Sequence, residues 1–218
     1  MISKTQNIWD KQAKRYDKSE RQFEPAFKEI IARTKEYLNT SDTVLDFGCA
    51  TGTKTLELAG ATKQIHGIDY SAEMIKEATK KNNELKIMNA SFSQGTIFKN
   101  DFEKASFDKI ISFGVIHLLD DMELVIQRIH ELLKPEGLFI STTACLKDKM
   151  AFKNRLEFSA YLFIKSLGIF PLHLNRLKTN DVENLITNGK FQIVKAEKTF
   201  HGITISFIIA RKLLKNVG

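Results

Sequence analysis

Cysteine is nearly absent from this 218-residue chain, which has only Cys49 and Cys145. Two thiols cannot staple a fold or complete a four-ligand zinc site, so no metal is expected. Their scarcity fits a reducing compartment. Proline is as scarce, with 3 residues, and glycine numbers 11. Those counts exclude collagen-like and low-complexity sequence. Long hydrophobic runs are missing too. The longest, Phe158–Leu174, is interrupted by Lys165 and His173 and broken by Pro171. It falls short of the roughly 20 continuous apolar residues that span a bilayer. Met1–Asp10 has no apolar run behind its charges, so a secretory signal is not expected and the chain reads as soluble and cytoplasmic. No internal repeat and no Pro/Gly/Ser-rich linker divides it. With 43% hydrophobic residues, it reads as a single domain, residues 1–218, with a sizeable core.

Charge is the one unbalanced quantity. There are 33 Lys and Arg against 26 Asp and Glu, a net of +7. That excess suits nucleic acid, an anionic membrane surface or an acidic substrate, and equally a Lys-rich solvated surface.

Hydrophobic spacing predicts helices over Thr5–Asp17 and Glu24–Leu38, then alternating strands and helices. The strands are Thr43–Phe47, Gln64–Asp69, Ala90–Gln94, Lys109–Phe113 and Leu138–Thr143. The helices between them are Thr53–Ala59, Ala72–Leu85 (Ser71 as N-cap) and Met122–Leu133, the last closed by Lys134-Pro135-Glu136-Gly137. An apolar-rich insertion precedes a helix at Thr179–Asn188 and strands Phe191–Phe200 and Ile203–Arg211. The alternation predicts an α/β fold with a mostly parallel sheet. The two-residue link His201-Gly202 forces the terminal hairpin to be antiparallel.

The chemistry concentrates where the first two strands end. Val44–Thr53 reads as strand, small-residue turn, helix. Gly48 and Gly52 let backbone approach a ligand, and Asp46 at the strand end can accept from an ammonium. The turn is neither G-x-G-x-x-G nor a P-loop. An ordinary strand–helix turn would read the same way. A second acid, Asp69, ends the next strand in His66–Ser71, where a carboxylate can accept from both hydroxyls of a ribose. The site therefore suits a nucleoside and an amino acid with no phosphate.

These motifs resemble those of the class I S-adenosylmethionine-dependent methyltransferases, in the methyltransferase type 11 group that includes the ubiquinone/menaquinone methyltransferases. The family pattern L-D-x-G-C-G-T-G appears as Leu45–Gly52, with Ala50 replacing the middle glycine. The acidic motif is Gly67–Met74. The pattern Q-G-D-A appears as Gln94-Gly95-Thr96-Ile97, with Thr96 for the Asp that meets adenine. Ser106–Asp121 and Leu132–Leu138 match the fourth and fifth motifs, so the ordered matches run from about Trp9 to Arg211. The resemblance implies a Rossmann-like seven-stranded, mostly parallel sheet with helices on both faces and an antiparallel terminal hairpin. It implies S-adenosyl-L-methionine as cofactor, with Asp46, Gly48, Cys49 and Gly52 near the methionine portion. Asp69 would hold the ribose, Tyr70 and Met74 would flank adenine, and Thr96 and Ile97 would meet its edge. Phe113 and Gly114 would lie close to the methionine portion and the sulfonium.

His117, just past the fourth strand, is the candidate general base, and equally a helix-start histidine with structural hydrogen bonds. Residues 1–40 would form a helical lid, with Tyr16 on the cofactor. Residues 144–178 would form an acceptor-side insertion. Its apolar stretch Met150–Leu177 suits a lid over an apolar pocket, a dimer interface or a core helix. Lys147, Lys149, Lys153 and Arg155 precede that stretch and allow a transient membrane-surface contact. The expected function is methyl transfer to a small apolar or amphiphilic acceptor. An RNA or tRNA methyltransferase and a non-catalytic S-adenosylmethionine-binding protein are the alternatives. The absence of a Pro-Cys or N-P-P-[YF] turn after the fourth strand disfavours nucleic acid.

Overall fold

A computed structural model describes residues 4–99, 101–156, 158–159 and 174–213. The apolar residues Tyr161, Leu162, Phe163, Ile164, Leu167, Ile169, Phe170 and Leu172 of the expected insertion lie outside them. The strands are β1 Thr43–Phe47, β2 Gln64–Asp69, β3 Ala90–Gln94, β4 Phe107–Phe113, β5 Leu133–Ala144, β6 Phe191–Phe200 and β7 Thr204–Lys212. The helices are α1 Lys4–Glu20, α2 Glu24–Lys35, α3 Thr53–Ala59, α4 Ala72–Leu85, α5 Met122–Leu132 and α6 Thr179–Asn188.

Seven strands form one sheet in the order β3-β2-β1-β4-β5-β7-β6. The first five are parallel, and β7 runs antiparallel to both β5 and β6. This is the mostly parallel sheet with an antiparallel terminal hairpin that the alternation predicts. The chain builds outward from β1 to β3, then returns to the other side of β1 with β4. Strand order reverses between β1 and β4, which opens a crevice at their carboxyl ends.

Both faces of the sheet are covered. Leu45, Phe47, Ile110 and Phe139 pack against Ile126 and Ile129 of α5 and Val182 and Ile186 of α6. Val44, Ile111, Ile140 and Phe207 pack against Ile30 and Ile31 of α2 and Leu56 and Leu58 of α3. Side chains alternate across a strand, so Val44 and Asp46 share the α3 face while Leu45 and Phe47 share the other. That alternation decides where Asp46 ends up.

Most element boundaries fall where the spacing puts them, and Ser71 caps α4 by accepting from Met74 N at 3.2 Å. The Lys134–Gly137 segment differs. It is not a turn ahead of a strand at Leu138, because β5 begins at Leu133. Glu136 takes a φ of 61° there and the pairing with β4 slips between Phe107 and Lys109. Pro135 has no N–H to give the ladder, so the strand passes it as an irregularity.

Candidate active site

The turn after β1 folds over the end of β2. Gly48 N and Cys49 N both donate to Ile68 O, at 2.9 and 3.0 Å. Gly48 has a φ of 77°, and a Cβ there would lie 2.4 Å from Val115 Cγ2. The loops after β1 and β4 therefore meet at a position only glycine can occupy. Ala50 also lies in the left-handed region, at φ 48°. Its N–H donates to Asp69 Oδ2 at 3.1 Å, while Ser71 N donates to Asp69 Oδ1 at 2.9 Å. Asp69 thus braces two turns, and each oxygen keeps a free lone pair. Burial pushes its carboxyl up to about 6, against those backbone donors.

A cavity of about 400 Å³ opens over these turns. Gly48 and Ala50 line it from β1, Asp69, Tyr70 and Met74 from β2 and α4, and Gly95–Phe98 from the loop after β3. Phe113, Gly114, Val115 and the stretch Leu118–Asp120 complete the wall beyond β4, and Trp9 and Tyr16 of α1 close over it. Of the expected residues, the structure brings Tyr16, Gly48, Asp69, Tyr70, Met74, Thr96, Ile97, Phe113 and Gly114 onto one wall. Trp9, Phe47, Ala50, Phe98, Val115, Leu118 and Leu119 join them. Most of these adjoin motif residues, so proximity in sequence was the available signal.

The other candidates sit elsewhere, each for a local reason. Asp46 is 2% exposed beneath the loop, and its Oδ2 accepts from Thr55 Oγ1 of α3 at 2.5 Å. Burial, and then the neighbouring Asp69, push its carboxyl up to about 6 against Thr55 and Lys54. Gly52 faces away from the cavity. A Cβ on it would meet the Phe92 ring at 2.7 Å and Ala78 Cβ at 2.8 Å, so helix packing requires this glycine. Cys49 lines a neighbouring cavity of about 430 Å³ between the β1 turn and helices α1 and α2. Burial, then Asp46 and Asp69, push its thiol well up, which makes it inert. Tyr16 and Ala50 border both cavities.

His117 lies in a 3₁₀ turn, Ile116–Leu118, and is not on the cavity wall. Its backbone oxygen accepts from Asn175 N at 2.7 Å. Its Nδ1 is enclosed without a hydrogen-bond partner among the described residues. Burial pushes the ring down to about 4, so it is neutral near pH 7.

Helix α1 is fastened over the crevice at two points. Asp10 accepts from Ser71 Oγ at 2.5 Å and from Glu73 N at 3.3 Å. Asp17 accepts from Thr51 Oγ1 at 2.6 Å and pairs with Lys81 at 2.5 Å. Between them, Trp9 and Tyr16 meet edge to face at 6.3 Å. Burial, then Glu20, Asp69, Asp17 and Asp46, hold the Tyr16 phenol protonated. It enters the site as a neutral donor among carboxylates.

The donor set fits S-adenosylmethionine. A braced carboxylate with free lone pairs suits two ribose hydroxyls, Tyr70, Met74 and Ile97 provide flat apolar walls for a base, and nothing lies within 4 Å of a Cβ placed at Gly114. The chain belongs to the class I S-adenosylmethionine-dependent methyltransferases, and a methyltransferase-domain family model matches residues 38–167, more than half of its length. An uncharacterised protein of Methanocaldococcus jannaschii is 34% identical over 68% of this chain and 55% of its own length. An uncharacterised methyltransferase of Oceanobacillus iheyensis is 29% identical over 74% of this chain and 77% of its own. A demethylmenaquinone methyltransferase of Lactococcus lactis is 32% identical over 59% and 55%. The chain thus spans about half the length of the first and third of these relatives. Among solved structures, a methyltransferase complex with the Trm112 activator from Haloferax volcanii has a TM-score of 0.77 at 14% identity, covering 100% of both chains. An S-adenosylmethionine-dependent methyltransferase of Methanosarcina mazei has a TM-score of 0.66 at 21% identity, over 83% of this chain and 96% of its own. Both likenesses concern the fold.

Proposed function

We propose that the protein transfers a methyl group from S-adenosylmethionine to a small acceptor of apolar or amphiphilic character. The observation that carries this reading is the composition of the 400 Å³ cavity. It holds the carboxylate Asp69 beside β2, and beyond β4 an apolar wall of Phe113, Val115, Leu118 and Leu119 that ends at Asp120. One strand, β1, separates the two sides, a span of about 10 Å at ordinary strand spacing. That separates a nucleoside side from an acceptor side. The 32% identity with a demethylmenaquinone methyltransferase supports an apolar acceptor.

The cofactor supplies a methyl group already activated on sulfur. The chain's own contribution is then to hold, align and keep water away. Asp69 fixes the nucleoside, Trp9 and Tyr16 cover it, and the apolar wall orients the acceptor. A base is needed only when the acceptor must lose a proton. His117 has a neutral ring for that task, but it serves only an acceptor that reaches past Leu118.

The test is release of S-adenosylhomocysteine with three sets of acceptors: hydroquinones carrying a prenyl chain, the same rings without the chain, and bulk tRNA. Turnover that requires the apolar chain supports the reading. Turnover on tRNA alone, or cofactor binding with no turnover on any acceptor, overturns it.

A further inference from the structure

Beyond the end of β5 lies a second concentration of chemistry, separate from the cavity over β1 and β2. A groove of about 850 Å³ is lined by Lys147, Lys149, Arg155, Arg176 and Lys178, with Asp148 as its only acid among the described residues. All five cations are exposed. None forms an ion pair within the described residues. Asp148 is already engaged, accepting from Thr179 N at 2.9 Å.

The groove is built on fixed backbone. Lys147 N donates to Leu177 O at 3.0 Å, and Lys149 O accepts from Thr204 N at 3.1 Å and Thr204 Oγ1 at 2.9 Å. Ala151 N donates to Gly202 O at 2.7 Å, and Met150 bridges to Ile203. Cations from the β5 exit and from the segment before α6 are thereby held on one side of the molecule. The Arg176 guanidinium lies over the Phe158 ring and the Lys149 ammonium over Phe200.

An apolar strip adjoins them. Phe152 is 84% exposed and Leu156 is 64% exposed. Residues 152–156 are helical, and at 100° per residue Phe152 and Leu156 sit about 40° apart around the helix, with Arg155 about 60° from Phe152 and about 100° from Leu156. Large apolar side chains standing in water beside cations that have no ion pair among the described residues match a molecule with an anionic head and an apolar chain.

We infer that this groove binds the phosphate or comparably anionic head of an amphiphile whose chain lies on Phe152 and Leu156. The groove opens at the carboxyl end of β5, next to the β4 exit, so the bound molecule is the methyl acceptor. This part rests on the function proposed above. The charge excess of the chain is then local in its use: five cations hold one headgroup.

The experiment uses the full-length protein and dodecyl phosphate below its micelle concentration, with inorganic phosphate and dodecyl maltoside as partial probes. Vesicles of phosphatidylcholine with and without phosphatidylglycerol separate a free amphiphile from a lipid surface. The variant Lys147→Gln/Lys149→Gln/Arg155→Gln removes groove charge. Lys63→Gln/Lys76→Gln/Lys104→Gln removes equal charge from exposed positions elsewhere. About fivefold per cation near a phosphate predicts that the groove variant loses dodecyl phosphate affinity about a hundredfold. The control variant should lose little, and Phe152→Ser should weaken dodecyl phosphate but not inorganic phosphate. Both charge variants should keep the affinity for S-adenosylhomocysteine, so failure of the groove is distinguishable from failure of the methyltransferase reading. Binding to phosphatidylglycerol vesicles but not to monomeric dodecyl phosphate would overturn a single-molecule site. Equal losses in the two charge variants, or tighter binding of an RNA hairpin through the same cations, would overturn it as well.

Discussion

Replacing Asp46 by Asn tests the electrostatics beneath the site. Asp46 is 2% exposed, and burial pushes its carboxyl up to about 6 from an ordinary value of 3.8. Folding therefore favours the protonated form. Between about 3.8 and 6 the folded chain binds a proton that the unfolded chain has released. This residue's contribution is most favourable below 3.8, declines through that window and stays low above 6. At 1.36 kcal/mol for each pH unit, the ionised carboxylate costs about 3 kcal/mol at pH 7.5. Asparagine keeps a carbonyl oxygen to accept from Thr55 Oγ1 and carries no charge. Asp46→Asn should therefore stabilise the protein by about 1–3 kcal/mol at pH 7.5, and the gain should vanish by pH 4. Asp17 and Asp108, held low by hydrogen bonds from Lys81 and Lys134, lose their contribution below the ordinary carboxylate range in both proteins, so they cancel in the difference. Urea midpoints with unchanged slope at the two pH values measure it. A variant less stable than the parent at pH 7.5, or an equal difference at both pH values, would refute the reasoning.

Other perturbations act on the same turns. Ala50→Gly should raise stability by about 0.5–1 kcal/mol by removing a Cβ from a left-handed position, read as a thermal shift of about 2–4 °C per kcal/mol. A loss would show that the alanine conformation is unstrained. Gly48→Ala should cost about 1–3 kcal/mol and weaken cofactor binding, because its Cβ meets Val115 Cγ2. Adding Val115→Ala should recover part of that cost, and no recovery would contradict a steric origin. His117 is held down to about 4 by burial, so the folded chain refuses a proton that the unfolded chain accepts below about 6.5. The parent should lose on the order of 2–3 kcal/mol between pH 6.5 and 4 relative to His117→Leu. Parallel stability curves would show that the imidazole is not buried.

Much of this was legible in the sequence, because local chemistry and tertiary context agree there. The run Thr43–Phe47, the turn beginning at Gly48 and the cap at Ser71 each have one structural solution. Lys134–Gly137 was misread because Pro and Gly punctuate turns more often than strands. Here pairing with β4 on either side, at Leu133 and Leu138, carries the strand past Pro135. Site membership was legible by segment and not by side. A period of two places Asp46 on the α3 face, away from Phe47, so a strand-end acid lies beneath the cavity and not on it. Gly52 is demanded by Phe92, a partner 40 positions away in the chain, which turn spacing cannot reveal. The hydrogen bonds of Asp10 with Ser71 and of Asp17 with Thr51 depend on how α1 lies over the strand ends, for which the chain carries no local signal.

The central claim is that Asp69, braced by Ala50 N and Ser71 N, holds the nucleoside of S-adenosylmethionine. Calorimetric titration of S-adenosylhomocysteine into the parent and into Asp69→Asn, at pH 7.5 and pH 5, tests it most directly. Loss of charge-assisted hydrogen bonds at about 1–3 kcal/mol predicts a dissociation constant raised about 5- to 150-fold in the variant at pH 7.5. The carboxyl titrates at about 6, so the parent's affinity should fall from pH 7.5 to pH 5 while the variant's stays level. Equal affinities for parent and variant at pH 7.5, or no binding by the parent, would contradict the account.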